Sequence, residues 1–190
     1  MRLGIFGGSF DPPHVGHLLA AIDAAEHLSL DTLFWVPAFQ QPLKAVRHHA
    51  TAEQRYALVA AAATAHPLFQ ASRIEIDRDG LSYTVTTLEA LSREHPGAEC
   101  FLLVGEDAWG RFPEWHEPER ITTLARTVVL TRPPETPRST GPQPDHWLRT
   151  RRIEISSTEI RARVRSGKPI RGFVQDGVAE IIESERLYRW

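Results

Sequence analysis

Two histidines three residues apart, His14 and His17, stand where a glycine-rich segment meets a predicted helix, in the run GIFGGSFDPPHVGHL from Gly4 to Leu18. At a spacing of i and i+3, two imidazoles share one helix face. A helix start already attracts anions, because its unpaired N–H groups and its dipole both point at the ligand. Two histidines in the first turn add further donors, and the arrangement predicts a phosphate site. Gly7 and Gly8 have no Cβ, so the chain is expected to turn sharply there and to approach a ligand closely. Pro12-Pro13 stiffens the approach to the helix.

Other readings of the run fail on spacing. The zinc-protease pattern needs histidines at i and i+4 with a glutamate between them, whereas Val15 and Gly16 lie here. Gly4, Gly7 and Gly8 do not fit the dinucleotide pattern GxGxxG. The Gly167-Lys168 pair is not a P-loop, because it lacks the upstream glycine and is followed by proline.

A second motif lies at Ile155-Ser-Ser-Thr-Glu-Ile-Arg161. Ser156 with Glu159 matches a capping box, so a helix is predicted to open there with hydroxyls at its mouth. Arg161, about one turn in, can point back toward an anion at that mouth. The surroundings are basic, with Arg149, Arg151, Arg152, Arg161, Arg163, Arg165, Lys168 and Arg171 against Glu154 and Glu159. In a chain of net charge −2, this is a local field suited to a polyphosphate. Most of these arginines are expected at the solvated surface, with Arg161 in direct contact. A nucleic-acid patch competes, weakened by the lack of interleaved aromatics.

The elements that must hold these motifs alternate. Arg2 to Phe6 reads as a short buried strand, followed by a helix from Val15 to Leu28. Thr32 to Val36 reads as a second strand, stopped by Pro37. Thr51 with Gln54 forms a capping box that opens an alanine-rich helix reaching Ala65. Arg73 to Asp77 alternates polar and apolar residues and is predicted to be a half-exposed strand. A helix from Val85 to Glu94 precedes a buried strand from Cys100 to Val104. A helical stretch through Trp109 and Ile121 then leads to a strand from Val128 to Thr131. Such alternation predicts an α/β fold, a Rossmann-like parallel sheet with helices on both faces, as one domain over 1–190. The proline-rich segment from Arg132 to Trp147 is expected to be an irregular loop, as a lid or as an inert connection. A C-terminal helical part is expected over 156–190.

Composition sets the outer bounds. The 190 residues, 42% hydrophobic and 24% charged, suit one soluble domain with a substantial core. The longest small-apolar run, Leu58 to Ala63, is far too short to span a membrane. With a strand predicted from Arg2, no signal peptide is expected. The single cysteine, Cys100, excludes an internal disulfide, fits a reducing cytosol and reads as a core residue. The charge argues against bulk nucleic-acid affinity, and self-association is left open.

The first motif resembles the (H/T)xGH signature of the nucleotidyltransferase superfamily, and the late ISSTxIR helix strengthens the likeness. Between them, Asp77 to Leu88 with Ser82-Tyr-Thr84, and Leu103 to Trp115 with Gly105, Asp107 and Trp115, resemble the nicotinate-nucleotide adenylyltransferase family. The likeness runs from Arg2 to Tyr188, with four separated motifs in order. It implies adenylyl transfer from ATP to nicotinate mononucleotide. Gly7, Gly8, Ser9, Phe10, His14, His17, Ser157, Thr158 and Arg161 would hold ATP, with His14, His17 and Arg161 catalytic. Lys44 would reach the phosphates. Tyr83 and Thr84 would receive the nicotinate carboxylate, Trp115 would stack on the pyridine and Asp107 would face a ribose hydroxyl. Mg²⁺ would enter on the ATP phosphates, with no ligand from the protein. Nicotinamide mononucleotide and phosphopantetheine remain alternative acceptors, and a non-catalytic nucleotide-binding module remains a third reading. The chain departs from the family pattern at Gln41-Pro-Leu-Lys44, often PxHK, and at Glu106, often a small residue.

Overall fold

The computed structural model describes residues 1–43, 48–131, 142–151 and 153–189. Lys44, Arg152 and most of the proline-rich segment lie outside them. One six-stranded, wholly parallel sheet organises the chain, in the order β3-β2-β1-β4-β5-β6. Its strands are β1 (Arg2–Gly8), β2 (Thr32–Pro37), β3 (Phe69–Ala71), β4 (Glu99–Gly105), β5 (Arg126–Thr131) and β6 (His146–Arg149).

Each central strand is apolar on both faces because helices cover both. Leu3 and Ile5 of β1, with Cys100, Leu102 and Val104 of β4, face a core closed by α4 (Thr84–Glu94), α5 (Glu106–Trp109) and α6 (Pro118–Leu124). Phe6, Phe101, Leu103 and Val128 face the opposite core, closed by α1 (Val15–His27), α2 (Ala52–Ala63), α7 (Ser157–Arg165) and α8 (Asp176–Ser184). The strand order reverses between β1 and β4. In open parallel sheets such a switch point leaves a crevice at the strands' C-terminal ends, where ligands bind.

Several sequence expectations are corrected. Arg73 to Asp77 is not a strand: Ile74–Arg78 form a short helix, α3. The alternation misleads because Arg73 pairs with Asp77 four residues on, at 3.0 Å, and also with Glu53 on α2 at 2.7 Å. An i,i+4 contact of this kind belongs to helical backbone. The proline-rich loop ends earlier than expected, since His146 and Trp147 already belong to β6. Asp145 fixes that edge by accepting from the Thr127 amide (2.7 Å) and hydroxyl (2.8 Å). β3 was not anticipated. The single stretch through Trp109 and Ile121 breaks into α5, a 3-10 turn at Phe112–Glu114 and α6. Among the described residues no helix is long and apolar enough to cross a membrane.

Phe101, fully buried in β4, carries the core beneath the switch point. Phe101→Ala should lower the free energy of unfolding by about 3–5 kcal/mol, measured by urea titration.

Candidate active site

Gly7 and Gly8 do not make the turn expected of them; they extend β1 to its last residue. The reversal falls on Phe10, whose backbone is left-handed (φ 47°). A Cβ on Gly8 would lie 3.0 Å from the Phe10 ring, while a Cβ on Gly7 would meet no atom within 4 Å. Gly8 thus makes room for the Phe10 ring, and Gly7 leaves open space beside the strand end.

His14 is the N-cap of α1 rather than a member of its first turn. Its Nδ1 accepts from the His17 amide (3.3 Å), and His17 Nδ1 accepts from the His14 amide (3.2 Å). This is a reciprocal capping box built from two imidazoles. Both Nδ1 atoms act as acceptors, so each neutral ring carries its hydrogen on Nε2. The rings lie 3.7 Å apart, and Phe10 meets His17 edge-on at 5.2 Å. Gly16 suits this arrangement, since a Cβ there would lie 3.0 Å from the His14 ring, which would have to give way. Two amides expected to be free are already committed: Val15 donates to the Phe173 carbonyl at 2.9 Å, and His17 donates within the cap. The site therefore relies on imidazole Nε2–H more than on helix amides.

The second motif docks onto the first. Ser156 caps α7 by accepting from the Glu159 amide (3.1 Å). Ser157 Oγ donates to the Pro12 carbonyl at 2.8 Å. Arg161 donates to the Asp11 carbonyl (2.7 Å) and to Thr158 Oγ1 (3.1 Å). Three of its described basic neighbours are engaged elsewhere: Arg151 with Asp23, Arg171 with Asp176, and Arg163 over the Phe173 ring. Arg161 turns toward the loop after β1.

Beneath that loop lies a charged cluster that sequence reading missed. The buried Asp11 carboxylate accepts from the amides of His49 (2.7 Å) and Ala50 (3.1 Å) and from the Tyr188 hydroxyl (2.8 Å). Arg55, only 1% exposed, donates to the carbonyls of Ser9, Ala38 and Phe39. Burial lowers the Arg55 pKa, and the Asp11 charge opposes that shift. Burial, followed by the Asp11 charge, pushes the Tyr188 hydroxyl upward, so it remains a neutral donor. Only the distance in sequence hid this cluster, since Asp11 stands inside the first motif.

Two cavities open at the switch point. The larger, of about 660 Å³, is lined by Tyr83, Thr84, Asp107 and Trp115, together with Glu75, Thr87, Arg111 and His116. The smaller, of about 450 Å³, is lined by Phe10, Gly16, His17 and Glu106. Gly7, Gly8, Gly105 and Asp107 border both, so the cavities share a wall made by the ends of β1 and β4. His14 is buried behind His17. Ser157, Thr158 and Arg161 stand at the α7 mouth, outside both linings. Ser9 donates to Gln41 Oε1 at 2.7 Å, on the larger-cavity side. Glu106 faces the smaller cavity, not the larger. Tyr83 packs on His116 (4.5 Å between centroids), and Trp115 on Phe112 (5.4 Å). Among the described residues no three His, Cys, Asp or Glu side chains converge as a metal cage.

Tyr188→Phe removes one donor from a buried carboxylate and should cost about 1.5–3 kcal/mol of stability. A urea-measured loss below about 0.5 kcal/mol would show that the C-terminus does not anchor the loop.

The Cytidylyltransferase-like family model matches residues 5–163. The chain is 49% identical, over all of its length and 93% of the relative, to a protein of Gemmatimonas aurantiaca named probable nicotinate-nucleotide adenylyltransferase. A protein of the same name from Thermus thermophilus is 43% identical, with both chains covered completely. In fold the chain is similar to Plasmodium falciparum nicotinic acid mononucleotide adenylyltransferase complexed with NaAD. That likeness has a TM-score of 0.78 at 16% identity and covers 98% of this chain and 97% of the other. The imidazole cap, the docked ISST helix and the paired cavities thus occur in a sequence matched end to end by its relatives, and the chain belongs to the nicotinate-nucleotide adenylyltransferases.

Proposed function

We propose that the protein transfers the adenylyl group of ATP to nicotinate mononucleotide, giving nicotinate adenine dinucleotide and pyrophosphate, a step of NAD biosynthesis. The observation that carries this reading is the pair of cavities joined along Gly7, Gly8, Gly105 and Asp107. One is bordered by the imidazole cap, the other by an aromatic wall and an uncapped helix start. A nucleotide in the first and a mononucleotide in the second would bring their phosphates together at the shared wall.

The acceptor phosphate has a second pKa of about 6, so it is already an anionic nucleophile at neutral pH. It attacks the α-phosphorus of ATP in line and pyrophosphate departs, with no general base and no covalent enzyme intermediate. The protein's work is to hold two repelling anions in line and to stabilise charge on the moving oxygens. We assign His17, through Nε2–H, to the oxygens that gain charge in the transition state. His14 positions it through the reciprocal cap, and Arg161, at the α7 mouth, is assigned to the triphosphate. Gly7, Gly8 and Phe10 border the ATP side, while Ser9, Ser157, Thr158 and Lys44 are assigned to the phosphates on resemblance alone. Mg²⁺ arrives bound to ATP oxygens as part of the substrate.

On the acceptor side, α4 begins at Thr84 with Tyr83 as N-cap and no side-chain cap hydrogen bond. Its first amides and the Thr84 hydroxyl suit a carboxylate, by charge and by dipole. Trp115 offers a face for the pyridine ring. Asp107, bordering both cavities, suits a ribose hydroxyl.

The test is pyrophosphate release with ATP, Mg²⁺ and each of nicotinate mononucleotide, nicotinamide mononucleotide and phosphopantetheine. The acid acceptor is expected to give the highest kcat/KM; a higher value for either alternative would reverse the assignment. His17→Ala should lower kcat by roughly 10²–10³-fold, as for loss of one preorganised transition-state donor. A loss under about tenfold would remove His17 from that role.

A further inference from the structure

Glu75 is a buried carboxyl that the transfer chemistry above leaves unused. It stands on α3, 7% exposed, and lines the acceptor cavity together with Ser82, Thr84 and Thr87. Thr87 Oγ1 donates to its Oε1 at 2.6 Å, and the Ser82 hydroxyl supplies a second hydrogen bond. Thr87 follows Thr84 by three residues, so the two share one face of α4. Glu75 is thereby anchored about one helical turn, ~5 Å, from the helix mouth that suits the acceptor's carboxylate.

Two carboxyl groups so placed cannot both be ionised without mutual repulsion. We propose that Glu75 is a specificity-determining residue that sets the choice between an anionic and a neutral pyridine acceptor. Protonated, it removes the repulsion and can donate to the substrate carboxylate. Ionised, it repels the acid and can accept an N–H from a carboxamide. The inference rests on the acceptor side assigned above, and it names what that side discriminates.

The surroundings permit such a switch. Burial is the largest influence and raises the Glu75 pKa above the usual carboxylate range. The hydrogen bonds from Thr87 and Ser82, then the charges of Arg78 and Arg55, oppose that shift. Arg78 lies on α3 itself and donates to Thr87 Oγ1 at 3.2 Å. Arg55 reaches in from α2, while β2 contributes no charged side chain. Across the cavity stand Asp107 of α5 and then Arg111, Glu114, His116 and Glu117. Arg111 and Glu114 bond each other, as do His116 and Glu117.

The sign of the effect follows. As pH rises through the Glu75 pKa, the site gains a negative charge, the acid acceptor binds more weakly and the amide does not. Binding of the acid therefore takes up a proton. The test is kcat/KM for nicotinate and nicotinamide mononucleotides from about pH 5.5 to about pH 8.5, taken as the acid-to-amide ratio. The phosphate titration is common to both acceptors and cancels in that ratio.

In the native protein the ratio should fall about tenfold or more across the range, and in Glu75→Gln it should change less than about twofold. Calorimetry in two buffers of different ionisation enthalpy should show proton uptake on binding the acid by the native protein, and none by the variant. If Glu75→Gln fails to fold, Thr87→Val takes its place. It removes a hydrogen bond that favours the charged form and should move the fall in the ratio to higher pH. An equal slope in native and Glu75→Gln proteins, or an unmoved profile in Thr87→Val, overturns the inference. Absence of turnover with both acceptors overturns the functional reading beneath it.

Discussion

A single buried carboxylate holds the site in place. Asp11 stands between β1 and α1, out of water, and an ion so placed is tolerated only when its lone pairs are filled. Two amides from 49–50, the Tyr188 hydroxyl and the neighbouring Arg55 charge answer that demand. Each comes from a different part of the chain. Satisfying one charge therefore fixes the loop after β1 against the segment before α2 and against the C-terminus. Arg161 and Ser157 then fasten α7 to the carbonyls of the same loop. The imidazole cap begins three residues later on a foundation that is already rigid.

Rigidity of this kind suits a reaction that asks the protein for no proton and no covalent bond. When both reactants are anions, the barrier lies in bringing them together and in the charge that moves between oxygens. Preorganised donors lower it because they need not reorient as the bond forms. Flanked by Phe6, Phe10 and His14, the His17 ring is held by packing as well as by hydrogen bonds. On the opposite side of the shared wall the environment changes character. A helix start without a side-chain cap, an aromatic wall and a carboxyl withdrawn from water line that cavity. Imidazole and carboxyl thus lie on the two sides of one sheet end.

Much of this was legible in the sequence because the informative residues are local. His14, Gly16 and His17 signal a helix start by themselves, and Ser156 with Glu159 signals another. The long buried runs of β1 and β4 carry the parallel sheet, since only strands covered on both faces are apolar throughout. Illegible parts have two causes. β3, three residues long, has no periodicity to detect, and β6 lies in a proline-rich context, its start fixed by a bond between Asp145 and Thr127 that are 18 positions apart. Arg73 to Asp77 imitates a strand, and that misreading hid Glu75, because alternation would place it on the solvent face with Arg73 and Asp77. Tyr83, Thr84 and Trp115 were legible through resemblance rather than pattern. Nothing local in their segments distinguishes a groove aromatic from a core one.

The contact between Gly16 and the His14 ring bears on how such a sequence can change over generations. A side chain at position 16 would press on a ring that caps a helix, and that ring's Nδ1 is bonded to the second imidazole's amide. The residues of the cap thus limit the substitutions open to one another. Position 14 admits only a side chain that can still cap the helix, whereas Val15 takes no part in the cap. The four-residue signature would pass between descendants as one inherited unit, retained for its internal fit as well as for what it binds.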